Sequence, residues 1–440
     1  MIIAWLTWLL LAAAISAGGW VWFHKSREPI APLPIFLTTV ALYVLPRPAY
    51  LLWFNRAPLT SGGLLLEDQH LLIATTLVVY LVGVGAFLIG HSRSSAATIA
   101  GHISFSLPEP HKKRAYFVSV VAMVVGGAAL FDVLTSVGGP AYALRHQYEM
   151  SNLLGGKQPL LQLTRLLILP IALMLVRRSP NSPQSSRPLV WLFAIVVAIA
   201  LFPLGRRSLV VLALAYPVAL YHLEVRPIPI RWLVLGVLAT APVISSLSYL
   251  RGFGSSHLNQ AASVFRQHPA SAMHFAFNAT GELKVFDATT IVVRDVPDEM
   301  DYTAGRTFAR VPFMVIPRRL WANKPVTLGE VIVARNLPHL QTGYPPSAVG
   351  EFYAAAGPFA VVLGCFCLGW VARLGWEWSR RHQGVGNASV YLAFCFFIFD
   401  FTRVGDPSRT IWGLIIGATS LTLAFCTSAG TGTPAPAARQ

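Results

Sequence analysis

Long apolar runs recur along almost the whole chain. A bilayer-spanning helix needs about 20 apolar residues, with a range of roughly 17 to 25. Transmembrane β-strands would alternate apolar and polar residues, and these runs do not. The pattern therefore predicts an all-α polytopic membrane protein with about 11 transmembrane helices. Nine runs are clear and two are weaker. The clear runs are 2–23, 71–90, 115–131, 160–176, 189–204, 232–249, 354–372, 388–402 and 411–428, and the weaker ones are 33–46 and 209–222.

One long stretch, residues 250–353, has no apolar run and divides the chain. It holds ten Lys or Arg residues and eight of the eighteen acids, so we expect a folded polar region. The predicted organisation is transmembrane helices 1–8 with short loops over 1–249, this large extracytoplasmic loop, transmembrane helices 9–11 over 354–428, and a disordered tail at 429–440.

Within that loop, apolar residues recur at steps of four, four and three. This spacing predicts one helix near 273–290. The residues concerned are Phe275, Ala279, Leu283 and Phe286.

Composition supports the membrane assignment. Of the 440 residues, 55% are hydrophobic and only 12% are charged, whereas soluble domains average about 25% charged residues. This deficit excludes a disordered chain and an ordinary cytosolic enzyme. The formal net charge of +16 would indicate nucleic acid in a soluble protein. In a membrane protein it indicates cytoplasmic loops or an anionic lipid-linked partner, so we expect no nucleic acid.

The Lys and Arg residues of the short loops are unequally divided between the two sides. One alternating set of loops and the tail hold fifteen of them, and the other set holds eight. The positive-inside rule then places the first set in the cytoplasm. The N-terminus and the loop 250–353 are predicted to face outward. The cytoplasmic set is 24–32, 91–114, 177–188, 223–231, 373–387 and the C-terminal tail.

Several arginines lie at predicted helix breaks on the outer side. Arg206 and Arg207 separate two short apolar runs, the second of 14 residues, or about 21 Å of helix against a core of about 30 Å. A charge carried below the membrane surface usually marks a ligand path; snorkelling to the headgroups is the alternative. Asp400 ends another run, so an arginine partner is expected, with Arg403 and Arg409 close behind. The charges of that turn could form an intramolecular ion pair. Alternatively, its arginines could line the same outer cavity as Arg206 and Arg207.

Soluble-enzyme motifs are missing from the sequence. It has no HExxH pattern, no Cys/His ligand set and no glycine-rich nucleotide loop. We therefore expect no metal and no cofactor. No cytoplasmic loop is long enough for a nucleotide-binding domain, so the predicted chemistry is extracytoplasmic and uses pre-activated substrates such as lipid-linked diphosphates.

Four motifs lie in the predicted outer loops: Phe286-Asp287, Asp301 through Arg306, Val315 through Pro325 with its Pro317-Arg318-Arg319 core, and Gly350-Glu351-Phe352-Tyr353. Together they resemble the outer loops of the Wzy-type polymerases of O-antigen and exopolysaccharide repeat units. The Gly205-Arg206-Arg207-Ser208 turn is also similar to that family's helix-breaking element. Arg145 and Arg318 each precede a glycine by the spacing described for some members.

This resemblance implies a GT-C-like, metal-independent glycosyltransferase facing the periplasm from the bacterial inner membrane. Its substrate would be undecaprenyl-diphosphate-linked oligosaccharide, and its partners membrane lipid and the chain-length regulator and flippase of the same pathway.

Arginine suits diphosphate recognition because its planar group donates several hydrogen bonds in a fixed geometry. The predicted catalytic residues are Glu351 as first choice of general base, Asp287 as second choice, Arg318 and Arg206. A carboxylate favoured by the helix dipole is the alternative role of Glu351. The predicted diphosphate-binding residues are Arg145, Arg207, Arg319, Lys324 and Arg403.

Three other functions fit the same sequence features. An O-antigen ligase would share the donor. A transporter or flippase would move the lipid-linked oligosaccharide without changing it, although transporters commonly show paired broken helices and only one clear break is evident. A non-catalytic partner of an export complex is the third.

Overall fold

A computed structural model describes residues 1–56, 66–108, 111–145, 158–174, 187–204, 207–232, 235–236, 284–314, 316, 321, 325–336 and 344–428. Within these ranges the regular structure is helical. The helices are α1 (Ile2–Lys25), α2 (Pro32–Tyr43), α3 (Pro46–Trp53), α4 (Leu66–His91), α5 (Ser94–His102), α6 (Lys112–Ser136), α7 (Pro140–Arg145), α8 (Gln158–Leu163), α9 (Leu169–Met174), α10 (Arg187–Leu201), α11 (Arg207–Glu224), α12 (Val285–Asp295), α13 (Arg306–Ala309), α14 (Leu328–Asn336), α15 (Ser347–Arg381), α16 (Val385–Val404) and α17 (Pro407–Ser428).

Seven segments of the described chain are long and apolar enough to cross a membrane. They match seven of the predicted runs, including the weaker run at 33–46, and confirm a polytopic membrane protein. The segments are Ile2–Lys25, Pro32–Trp53, Asp68–His91, Lys113–Ser136, Ser347–Arg381, Val385–Val404 and Pro407–Thr427.

Three of the remaining predicted runs contain apolar helical segments of 10–17 residues within the described part of the chain. They are Thr164–Leu173, Leu189–Leu204 and Leu209–Glu224. The first is interrupted because Thr164–Ile168 is a 3₁₀-helix between α8 and α9. The predicted run at 232–249 lies almost wholly outside the described residues.

Close contact between α4 and α15 forms the centre of the larger apolar core. Gly90 of α4 lies against the Phe366 carbonyl, and Gly369 of α15 lies against the Phe87 carbonyl, so neither position has room for a Cβ. Phe87 in turn stacks on Phe36 of α2 with a centroid distance of 3.7 Å. Since small residues let membrane helices approach closely, these two glycines set the distance between α4 and α15.

Contacts between loops divide the bundle into two ends. At one end, His222 Nε2 lies 3.0 Å from Glu28 Oε1, and Asn387 Oδ1 accepts a hydrogen bond from the Leu107 backbone at 2.8 Å. All four residues lie in or next to loops predicted to be cytoplasmic. At the other end, Arg47 pairs with Asp287, and both were predicted to lie outside. The contacts therefore agree with the predicted pairing of loops.

The stretch 250–353 contains helices in its described part. The helix predicted near 273–290 is observed from Val285 and continues to Asp295; residues 273–283 lie outside the described residues. Most of α12 is buried, including Phe286 and Ile291, and its neighbours are α4, α14 and α15. It is therefore packed into the bundle rather than held in a separate domain.

Candidate functional site

The turn between α16 and α17 collects arginines around one buried carboxylate. Arg403 Nη2 donates to Asp400 Oδ1 at 2.9 Å, and the Asp400 side chain is 4% exposed. Arg409 Nε lies 3.8 Å from Asp400 Oδ2. The predicted arginine partner of Asp400 is therefore Arg403, which lies one helical turn away.

Arg403 also packs on aromatic rings. Its guanidinium carbon lies 5.8 Å from the centroid of Tyr43 and 5.6 Å from that of Phe399. Since a guanidinium over a ring face is held electrostatically, Arg403 is fixed behind Asp400 and neutralises it there.

Arg165 approaches the same turn from the 3₁₀-helix. It interacts electrostatically with both Asp400 and Arg409. Its guanidinium occupies space that a side chain at position 413 would fill, because a Cβ on Gly413 would collide with Nη1. The glycine therefore makes room for an arginine inside the bundle.

Arg165, Arg409 and Asp400 line the upper part of a cavity of about 90 Å³. Since Arg403 already pairs with Asp400, the guanidinium groups of Arg165 and Arg409 are the surplus charge at this cavity. The rest of its lining is almost entirely apolar, from α9, α11, α16, α17 and the 3₁₀-helix. It includes Leu166, Leu169, Leu212, Phe396, Phe397, Leu414, Ile416 and Leu421. We call this the arginine cavity.

The arginine cavity extends along α17 from Arg409 to Leu421. At 1.5 Å per residue that is about 18 Å of helix, more than half of a ~30 Å hydrocarbon core. A cationic upper part above an apolar lower part matches a lipid with an anionic headgroup.

Glu351 lies beside the same turn but does not line the arginine cavity. It is 1% exposed, and its Oε1 has no hydrogen-bond partner. Asp406 lies within electrostatic range, and the Thr307 hydroxyl is a neighbour that does not reach hydrogen-bond geometry. Asp406 accepts a hydrogen bond from the Arg409 backbone at 3.2 Å, so one turn connects Glu351 to the arginines.

A kink in α15 separates Glu351 from the long membrane-spanning part of the helix. Gly357 has φ +68°, and Pro358 has no N–H to donate to the Ala354 carbonyl. The freed carbonyls are satisfied from outside the helix, because Thr303 N donates to Ala354 O at 2.8 Å and Ala304 N donates to Ala355 O at 3.1 Å. The segment 302–313, which we call the strap, is therefore attached to the kink.

Aromatic contacts hold the strap across three helices. Phe308 stacks on Phe352 of α15 at 5.8 Å and meets Phe401 of α16 at 6.4 Å. Trp412 Nε1 of α17 donates to the Val311 carbonyl at 2.5 Å. The strap thus covers the end of the bundle where Glu351 lies.

Asp287 lies in a different buried contact. Arg47 Nη2 reaches its Oδ2 at 2.7 Å, and the two side chains are 1% and 0% exposed. Burial lowers the pKa of the neighbouring Lys284, and the Asp287 carboxylate opposes that shift. This pairing favours Glu351 over Asp287 as the base, and the catalytic role of either stays a prediction.

The described part of the chain includes only some of the predicted site residues. Arg206, Arg318, Arg319 and Lys324 lie outside it, and for Arg145 and Arg207 only the backbone is described. That backbone is informative, because α7, which ends at Arg145, packs against the 3₁₀-helix Phe202–Leu204, which ends just before the Gly205-Arg206 break.

Sequence reasoning gave no role to Arg165 or to Arg310 of the strap, whereas a cavity was one of the two explanations predicted for the turn that contains Arg409. Of the two missed residues, only Arg165 could have been noticed in the sequence, because it is an arginine inside an apolar run.

Among the described residues, no three His, Cys, Asp or Glu side chains come together as a metal site requires. Comparison with protein families, with curated proteins and with solved structures finds no match.

Proposed function

We propose that the chain joins undecaprenyl-diphosphate-linked oligosaccharide repeat units into O-antigen or exopolysaccharide. It would act as a metal-independent glycosyltransferase of GT-C-like architecture at the periplasmic face of the bacterial inner membrane. The observation that carries this proposal is the arginine cavity, in which Arg165 and Arg409 lie above an apolar lining.

Energetics favour an anionic ligand at this cavity. An arginine placed within the membrane costs on the order of 2.5 kcal/mol or more, and Asp400 balances only one of the three guanidinium groups around it. The phosphate groups of a lipid diphosphate would neutralise Arg165 and Arg409. The cavity of about 90 Å³ is smaller than the roughly 150 Å³ engineered cavity that holds benzene, so it suits the phosphate end, and the lipid chain would lie between the helices.

The proposed reaction uses these groups directly. An acceptor hydroxyl oxygen bonds to the anomeric carbon of the donor sugar, and the bond from that carbon to the diphosphate oxygen breaks. The lipid diphosphate leaves with the bonding electron pair, and Glu351 takes the hydroxyl proton. Positioned cations stabilise the charge that develops on the leaving group, and a single such donor is worth about 10²–10³ in rate.

Arginines on neighbouring segments would extend the same site. The α7 contact with Phe202–Leu204 brings the chain positions of Arg145 and Arg207 to one end of the bundle. With Arg206, Arg318, Arg319 and Lys324 they would hold the second diphosphate, while Arg403 balances the negative charge of Asp400. A flippase and a chain-length regulator of the same pathway are the proposed partners.

The test compares surface polysaccharide from a deletion strain with that from the complemented strain. If the protein is a polymerase, the deletion strain should carry single repeats on the lipid carrier and on the lipid core. The wild-type gene should then restore the polysaccharide ladder. Full-length chains left unattached to lipid would instead identify a ligase. Accumulation on the cytoplasmic face would identify a flippase. Purified protein that lengthens lipid-linked repeats in detergent would establish the chemistry.

A further inference from the structure

Polar atoms without partners gather beneath the strap. Glu351 Oε1, Thr307 Oγ1 and Thr402 Oγ1 are buried and make no hydrogen bond, and the same holds for Nε and Nη1 of Arg310. Each such group costs about 1–3 kcal/mol if nothing satisfies it, and native proteins contain only a few of them. Such groups on the strap and on the helix end that it covers therefore indicate a place where a polar ligand binds.

Local geometry brings these groups together. Thr307 and Arg310 are three residues apart on a continuous helical turn, so their side chains share one face. Thr307 is next to Glu351. Thr402 lies on α16 four residues before Asp406, which is in the turn after that helix and interacts with Glu351. The strap and the end of α16 therefore both lie near the carboxylate.

We propose that Glu351, Thr307 and Arg310 form a hydroxyl-binding site for the acceptor saccharide. This inference rests on the proposed polymerase function and adds the position of the acceptor. Glu351 accepts a hydrogen bond from the attacking hydroxyl, and Arg310 donates to a neighbouring hydroxyl. Thr307 can do either.

The charge and surroundings of the site match a neutral polyhydroxylated ligand. The carboxylate of Asp406 lies near Glu351 here, and its negative charge would repel a diphosphate. Exposed rings lie on and next to the strap. Tyr302 is 41% exposed and Phe313 is 45% exposed, and Trp321 meets Phe313 edge-on at 5.7 Å. Sugars offer hydroxyls to the polar groups and apolar faces to the rings.

The position of the site also fits the reaction. Glu351 lies within electrostatic range of Asp406 in the 400–410 turn, and Arg409 of the same turn lines the arginine cavity. A donor sugar whose diphosphate is held by the arginines would thus present its anomeric carbon toward Glu351. The acceptor and the leaving group approach that carbon from opposite sides.

The experiment uses the full-length protein purified in detergent, with lipid-linked repeat units extracted from the deletion strain as donor. A labelled repeat unit released from its lipid by mild acid has no diphosphate and can act only as acceptor. For Arg310→Met we expect the KM for this acceptor to rise about tenfold or more, as for loss of a hydrogen bond to a charged group. For Glu351→Gln we expect kcat to fall about 100-fold, which is typical of removing a general base.

Inhibition by undecaprenyl diphosphate, which reports on the arginine cavity, should be unchanged in both variants. Arg306→Met is the matched control, since Arg306 lies on the same turn of the strap but is exposed, and its acceptor KM should equal that of the wild type. Thr307→Val, nearly the same shape as threonine, is the second variant in case Arg310→Met does not fold. It should raise the acceptor KM without changing the thermal unfolding temperature.

Two results would overturn the assignment. One is an unchanged acceptor KM in folded Arg310→Met and Thr307→Val proteins. The other is a weakening of undecaprenyl diphosphate inhibition as large as the change in acceptor KM, which would make this a diphosphate site. A wild-type protein that transfers no repeat unit would instead refute the proposed function itself.

Discussion

The buried pair of Arg47 and Asp287 joins α3 to α12, 240 residues apart in the chain. Arg47 Nε lies 3.1 Å from both carboxylate oxygens, and Nη2 lies 2.7 Å from Oδ2. Asp287→Asn would keep the shape but remove the charge of the buried ion pair. Breaking a buried pair in this way costs about 3–5 kcal/mol, a large part of a typical stability of about 5–15 kcal/mol.

The double variant Arg47→Met with Asp287→Leu separates structure from chemistry. Replacing both partners by apolar residues of similar volume is often neutral or stabilising. We therefore expect the double variant to recover most of the folded protein that Asp287→Asn loses. Thermal unfolding in detergent measures the stability, and the polysaccharide ladder in a complemented deletion strain measures activity.

Two outcomes would contradict a structural role for this pair. If Asp287→Asn unfolds at the wild-type temperature, the pair does not hold α12 in place. If the double variant is stable but makes no polymer, Asp287 is needed for chemistry, as its second-choice prediction as general base requires.

Three further predictions concern packing and charge. Gly90→Val should lower stability by about 1–3 kcal/mol, the usual cost of overpacking, whereas Gly85→Val on the same helix has open space and should be neutral; thermal unfolding of both variants decides this. Asp400→Asn should reduce the yield of folded protein, and undecaprenyl diphosphate should stabilise this variant more than the wild type in the same assay, since bound anion would replace the lost carboxylate. Arg206→Ala and Arg318→Ala should each abolish polymer while membrane insertion persists, as measured by gel profile and membrane-fraction immunoblot; full-length polymer from both would count against the predicted cationic set.

Hydropathy alone located the seven long spans, because a helix in lipid must be apolar over its whole length. At 160–176 the described part of the apolar run is also helical, as two short helices joined by a 3₁₀-helix. Apolar composition alone does not distinguish a 3₁₀-helix from an α-helix in such a run.

Local spacing predicted some of the site and missed the rest. Asp400 and Arg403 are three residues apart on one helix, so their pairing follows from helical geometry. Arg165 has no such neighbour in sequence and reaches Asp400 only through the packing of α17, where Gly413 leaves room for it. Arg310 gave no signal, because its position depends on the strap crossing the kinked end of α15.

The sequence by itself therefore determined that this chain is a polytopic helical membrane protein, where its long spans run, and that arginines concentrate at its predicted helix breaks. Those properties follow from the order of apolar and charged residues, because a span needs a long apolar helix and the charges of the loops determine orientation. Only the tertiary structure decided that Arg47 neutralises Asp287, that Arg165 and Arg409 line one apolar cavity, and that the strap covers Glu351. Each of these contacts joins residues far apart in the chain, so each exists only once the helices have packed.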